Sequence, residues 1–387
     1  MWLRDVVVDV DGDEQHADVH IVGDVIGTVC SPSTQGAADR RGGRLTPALA
    51  EPHVHLDAAL LGVRAPNRSG TLREGIANWA RLREGLSAED VLARASETLT
   101  MYRANGVFRV RTHVDTGSAV AVDTLLALRE SAAERGTTLQ VVAFPQEGIL
   151  RAPERRRLWE EAVAKGCDAV GCIPHFERTT EEGHASVRLA FDLAERHDLP
   201  VDLHCDETDD PWSRNLEVAC ALAIDRGWQG RVVTGHCTAL HGMPGPYVAK
   251  VAELAAEAGV QIVVNPLDNT VLQGRFDTGP VRRGIAPVKA LWAAGVSVGI
   301  GHDSVVDPWY RLGTAHLLDP AWLLVHVGHL TSEEEMRRVF RTLVFENHLP
   351  FGGAPRVEVG AVGPWMWWKD ADPVEILRTR AVPERVG

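Results

Sequence analysis

Hydrophobic and polar positions change their period near residue 45. Before it, short runs at residues 6–10, 16–22 and 25–29 alternate and are parted by Asp/Gly turns, which predicts strands of a small β domain. Beyond it, short β-rich apolar runs take turns with long amphipathic ones. The runs at 45–53, 107–113, 139–144, 168–173, 200–204, 231–235, 261–264 and 297–301 predict eight strands, with helices over 88–104, 122–135, 153–165, 182–197 and 245–258 between them. Strands that alternate with helices in this way predict an α/β fold, a (β/α)8 barrel of the TIM type. A doubly wound open sheet would not naturally place polar residues after nearly every strand.

Those strand ends carry the chemistry. His53 and His55 lie one residue apart on an extended run, so both rings point to one face. His113 and Asp115 close the second run, Gln146 and Glu147 follow the third, and His175 and Glu177 follow the fourth. His204 and Glu207 mark the fifth, His236 the sixth, and His302, Asp303 and Ser304 the eighth. A barrel gathers such ends at its carboxyl-terminal mouth. His53, His55, His204 and Asp303 then form three imidazoles and a carboxylate, a donor set for a catalytic metal with one open position. Taken singly, each has a plainer explanation: His204 as a core histidine, Asp303 as a helix cap or ion-pair partner. No lysine ends the fourth or fifth strand to bridge two ions, which argues for one metal.

Glu207, three residues past His204, suits a general acid/base beside the metal; the alternative is a surface acid among Asp206, Asp209 and Asp210. His236 polarises the attacked group or holds the water, unless it is a packed histidine. The Gln146 amide both donates and accepts, which suits the edge of a heterocycle, unless it is a buried structural amide.

Charge and cysteine content narrow the class. The formal net charge of −13 argues against nucleic acid as a partner. The six cysteines lack zinc-type Cys-x-x-Cys spacing, and several sit in apolar runs, as expected of reduced thiols in a cytoplasmic protein. No run approaches the ~18 apolar residues of a membrane span, and no leader is apparent at the amino terminus.

The motifs EPHVHLD, RTHVD, VAFPQEGIL, IPHFE, HCDETDD, NPLDN followed by LQGRFDT, and GHDSVVDPWY resemble the amidohydrolase superfamily, in particular its bacterial cytosine deaminase group, over roughly residues 1–335. The resemblance implies one iron or zinc ion on His53, His55, His204 and Asp303. It makes Glu207 the proton shuttle, His236 an active-site histidine, Gln146 the reader of the substrate amide and Trp309 a pocket wall. The implied reaction is hydrolytic deamination of a small heterocycle, with Asp303 taking a proton from the attacking water. Related hydrolyses of another ring (creatinine, isoguanine, a pterin, a triazine or a cyclic amide) would use the same residues. A binding protein on a disabled barrel would lack a ligand or the glutamate, and neither is missing.

Two departures stand out. Ser304 replaces a second aspartate that follows the metal aspartate in the cytosine deaminase pattern, which enlarges the pocket, removes an acceptor for a ring N–H and points to a 5-substituted cytosine or another aminated heterocycle such as creatinine, isoguanine or a pterin. The second is the tail. Family members return strands to a small β-sandwich built from both ends of the chain, so the expected domains are 1–47, a barrel over 48–340, and 341–387. Here the stretch before residue 369 is rich in Gly, Pro and Trp and shows no clear alternation. The expectation is an atypical or incomplete last segment whose exposed aromatic cluster would favour a homo-oligomer.

Overall fold

The computed structural model describes residues 1–10 and 12–387. Strands β1 (Trp2–Val10), β2 (Asp13–Val22), β3 (Val25–Cys30), β4 (Arg40–Arg41) and β5 (Arg44–Pro47) open the chain. Eight parallel strands follow: β6 (Leu49–Val54), β7 (Val107–Asp115), β8 (Thr138–Phe144), β9 (Ala169–Val170), β10 (Val201–Cys205), β11 (Val232–His236), β12 (Gln261–Val264) and β13 (Val298–Ile300). They pair in chain order. The ring closes where the Asp303 N–H donates to the His53 carbonyl (2.9 Å) and the His55 N–H to the Asp303 carbonyl (3.2 Å). Helices cover the outside of this (β/α)8 barrel, and one continuous apolar core joins them to the strands.

The tail supplies β14 (Trp365–Trp368) and β15 (Glu384–Val386). These complete a seven-stranded sheet in the order β15-β14-β5-β1-β2-β3, with β4 beside β1. The expected exposed aromatic cluster does not exist, because all four residues of β14 are buried. Trp365 and Trp367 pack into the small sheet's core, while Met366 meets Ala48 and Phe108 and Trp368 joins the barrel core. Both faces are covered, so the alternation that marks a half-exposed strand is lost. Burial of these rings leaves no exposed aromatic cluster in β14 to favour an oligomer.

Several boundaries differ from the sequence expectation. The run at 45–53 is two strands, with Ala48 between them donating to the Pro364 carbonyl (3.0 Å); β5 belongs to the small sheet and β6 to the barrel. The fourth barrel strand keeps only Ala169–Val170 before the Pro174–Phe176 turn. Ser118 and Thr179 cap the next helices, which therefore start at Ala119 and Thr180. The helix Leu72–Arg83, inserted after β6, escaped the periodicity analysis.

Candidate metal centre

Three imidazole nitrogens converge at the barrel mouth. His204 Nε2 lies 3.2 Å from His53 Nε2 and 3.1 Å from His55 Nε2. Asp303 Oδ1 stands 3.6 Å from His53 Nε2 and 3.4 Å from His55 Nε2. Burial, reinforced by mutual repulsion, pushes all three histidines below the ordinary imidazole range, to about 3 for His55. Neutral rings pointing three lone pairs and a carboxylate at one spot fit a divalent cation, since single shared protons cannot satisfy them all.

Local structure holds these rings. Glu51 accepts from the His53 N–H (2.9 Å), the His302 N–H (3.1 Å) and the Tyr102 hydroxyl (3.0 Å), strapping the first strand to the eighth. Phe144 stacks on His204 at 3.8 Å. The His55 Nδ1–H donates to the His113 carbonyl at 3.1 Å, leaving Nε2 for the centre. Gly235 leaves room for His53, because a Cβ there would lie 2.8 Å from His53 Cε1. Beneath the centre, Asp202 meets Arg111 Nε (2.8 Å) and His113 Nε2 (3.2 Å), so its carboxylate is already engaged. His236 and Asp303 hold left-handed backbone (φ 69° and 66°). Such conformations are costly for these residues and persist where the surroundings impose them.

The pocket above is lined by His55, His204, Glu207, His236, Asp303 and Ser304, and it also takes in Gln146, Trp309 and Asp268. Glu207 is buried, not a surface acid, and burial alone pushes its carboxyl up to about 8. Its Oε1 lies 3.5 Å from His236 Nδ1, and Asp303 Oδ2 is 3.8 Å from the same nitrogen. The Asn269 amide contacts His236 Nδ1 at 2.9 Å. Gln146 is buried at the rim. The Trp309 ring stands 6.0 Å from His55, and Gly75 of the inserted helix lies so close that a Cβ would be 2.3 Å from the indole.

All nine residues given a role in the sequence therefore gather here; only His53 stands below the pocket lining. Glu51, Phe144, Asn269 and Asp268 were missed. Glu51, Asn269 and Asp268 sit inside the motifs EPHVHLD and NPLDN, where they could have been noticed, but nothing in a strand pattern says which way a helix-turn carboxylate points. Ser304 also differs from expectation: its hydroxyl donates to Asp268 Oδ1 at 2.7 Å, so an acceptor absent at position 304 stands next to it instead.

Fold and site together define a metal-dependent hydrolase acting on carbon–nitrogen bonds. The amidohydrolase family model matches residues 69–341, and the chain belongs to that family. The structure resembles 5-methylcytosine deaminase from Klebsiella pneumoniae liganded with 5-fluorocytosine, at TM-score 0.93 and 34% identity, over 100% of this chain and 96% of the other. In sequence it is similar to a pterin deaminase of Rhizobium rhizogenes, 27% identical over 80% of this chain and 72% of that one. It is also similar to an N-isopropylammelide isopropyl amidohydrolase of Pseudomonas sp., 24% identical over 85% and 81% respectively.

Proposed function

We propose that the protein deaminates cytosine or a 5-substituted cytosine by hydrolysis, leaving the ring carbonyl and releasing ammonia. One juxtaposition carries the reading: Glu207, which burial keeps protonated near neutral pH, stands 3.5 Å from a neutral His236 at the rim of the four-donor centre. The likeness to a 5-methylcytosine deaminase over the whole chain supports the pyrimidine substrate.

A single divalent cation, zinc or iron, on His53, His55, His204 and Asp303 would supply the Lewis acidity that makes water nucleophilic near neutral pH. Gln146 pairs with the amide-like edge of the ring, and Trp309, Leu72 and Leu272 wall the pocket against bulk water. Asp303 takes a proton from the attacking water as its oxygen bonds to the amine-bearing carbon. Glu207 gives its own proton to the adjacent ring nitrogen, then as carboxylate takes the proton of the hydroxyl on the tetrahedral carbon and passes it to the amine. The C–N bond then breaks, its electron pair leaves with ammonia and the ring carbonyl forms; the water proton held by Asp303 passes to Glu207, which restores both carboxyl groups. His236 hydrogen-bonds the oxygen at the tetrahedral carbon. Ser304, shorter than an aspartate, leaves room for a 5-substituent.

Ammonia release from metal-replete protein tests this, with Glu207→Gln as control. Release from 5-methylcytosine at least as efficient as from cytosine, falling about 10²- to 10⁴-fold in the variant, is the expected result. A strong preference for unsubstituted cytosine would remove the 5-substituted reading. Turnover confined to pterins or N-alkylated triazines would move the substrate to the rings named for the two sequence relatives.

A further inference from the structure

We infer that Asp268, aimed by Ser304, is a specificity residue that accepts a hydrogen bond from a donor on the substrate edge facing away from Gln146. The inference rests on the deaminase reading and deepens it by naming what the substrate must present.

Asp268 is 1% exposed and lines the pocket. Its Oδ1 accepts from the Ser304 hydroxyl at 2.7 Å, whereas its Oδ2 is buried with no hydrogen-bond partner. Leaving a carboxylate oxygen so placed is costly, and a buried polar atom without a partner calls for an explanation. A donor brought by the substrate supplies one.

The segment around Asp268 is rigid. In the turn that opens the helix Pro266–Leu272, the Asn265 N–H donates to Asn269 Oδ1 (3.2 Å) and the Asn269 amide reaches His236 (2.9 Å). Ser304 fixes the carboxylate plane from the end of the eighth strand. Topology sets the direction: Gln146 follows β8 and Asp268 follows β12, four strands apart in a ring of eight, so they face each other across the mouth. A flat heterocycle between them offers one edge to an amide and the opposite edge to a carboxylate. The acid expected at position 304 has its counterpart in the helix that follows the neighbouring strand.

A cytosine that turns its N1–H and C2 carbonyl to Gln146 presents C4–C5 on the opposite edge, so the donor is a hydroxyl on the 5-substituent, and substrate analogues test this. KM and kcat are measured for 5-methylcytosine, its N1-methyl derivative and 5-hydroxymethylcytosine with wild-type protein, Asp268→Asn and Ser304→Ala. Asp268→Asn, close to isosteric, is expected to raise KM about ten- to a hundredfold for the substrate that carries the donor, with a smaller change in kcat. It is also expected to erase the wild-type discrimination against the analogue that lacks it. Loss on both 5-methylcytosine and 5-hydroxymethylcytosine, with the N1-methyl derivative unaffected, would put the ring N–H at Asp268 and overturn the inference as stated. Loss on the hydroxymethyl compound alone identifies the hydroxyl. Should Asp268→Asn not fold, Ser304→Ala is expected to give a smaller KM rise on the same substrates. An equal effect on every substrate, or none, overturns the inference while the deaminase stands. Silence of the metal-loaded wild type on the whole panel overturns the deaminase reading and the inference with it.

Discussion

Burial pushes Glu207 and Glu51 alike up to about 8, but their surroundings differ. Glu51 receives two backbone N–H groups and the Tyr102 hydroxyl, whereas burial alone acts on Glu207, which faces the pocket. If the protonated form of Glu207 is the working one, kcat/KM holds below its raised pKa and falls as pH climbs through about 8. A pH profile with no alkaline limb would remove Glu207 from the acid role. Gly235 makes a second residue-scale prediction. Alanine there drives a methyl to within 2.8 Å of His53 Cε1. It is expected to cost about 1–3 kcal/mol in denaturant unfolding and to weaken metal affinity about 10- to 100-fold by titration. Residues of this kind divide what a sequence discloses. His53, His55, His204 and Asp303 were legible because strand period and strand-end position fix where they point. Asp268 and Asn269 were not, because their direction depends on a helical turn whose orientation only tertiary packing decides.

Among the elements, β14 shows how a pattern can hide. Its four residues face two different cores, so Trp365–Trp368 reads as an apolar cluster and not as a strand. Trp368 is 1% exposed, packs edge-on to Phe340 and donates to Thr46 Oγ1 at 2.9 Å. Trp368→Ala is expected to cost about 3–5 kcal/mol in denaturant unfolding, and a loss below about 1 kcal/mol would show that the tail contributes little. The first barrel strand was legible in its hydrophobicity but not in its break at Ala48, which depends on a partner strand more than 300 residues later in the chain. The helices expected over 88–104, 153–165 and 245–258 match the observed ones to within a residue. The inserted helix Leu72–Arg83, whose Leu72, Ile76, Trp79 and Leu82 recur at helical spacing, was legible but was passed over.

For the molecule as a whole, the barrel came through clearly because eight strands alternate with helices and nearly all end in polar residues. How the small sheet is assembled did not, since it joins segments from opposite ends of the chain. Metal removal acts at this scale. A ligand that binds only the folded state, present at a thousand times its Kd, stabilises by about 4 kcal/mol, so chelation is expected to lower the melting temperature and readdition to restore it. An unchanged melting curve, with metal loss verified, would indicate that the four donors are not a tight site.

The closure of the ring carries a consequence of its own. The hydrogen bonds that join the last strand to the first involve His53, His55 and Asp303, three of the four donors of the centre. Whatever draws those side chains together also holds the two ends of the ring in register, so an empty centre leaves the stitch most prone to open. Deuterium uptake at the Asp303 and His55 amides should therefore be slow in loaded protein and quicken after chelation, ahead of amides on the far side such as those of β9. Two backbone protons would then report, without any substrate, whether the enzyme is charged with its ion.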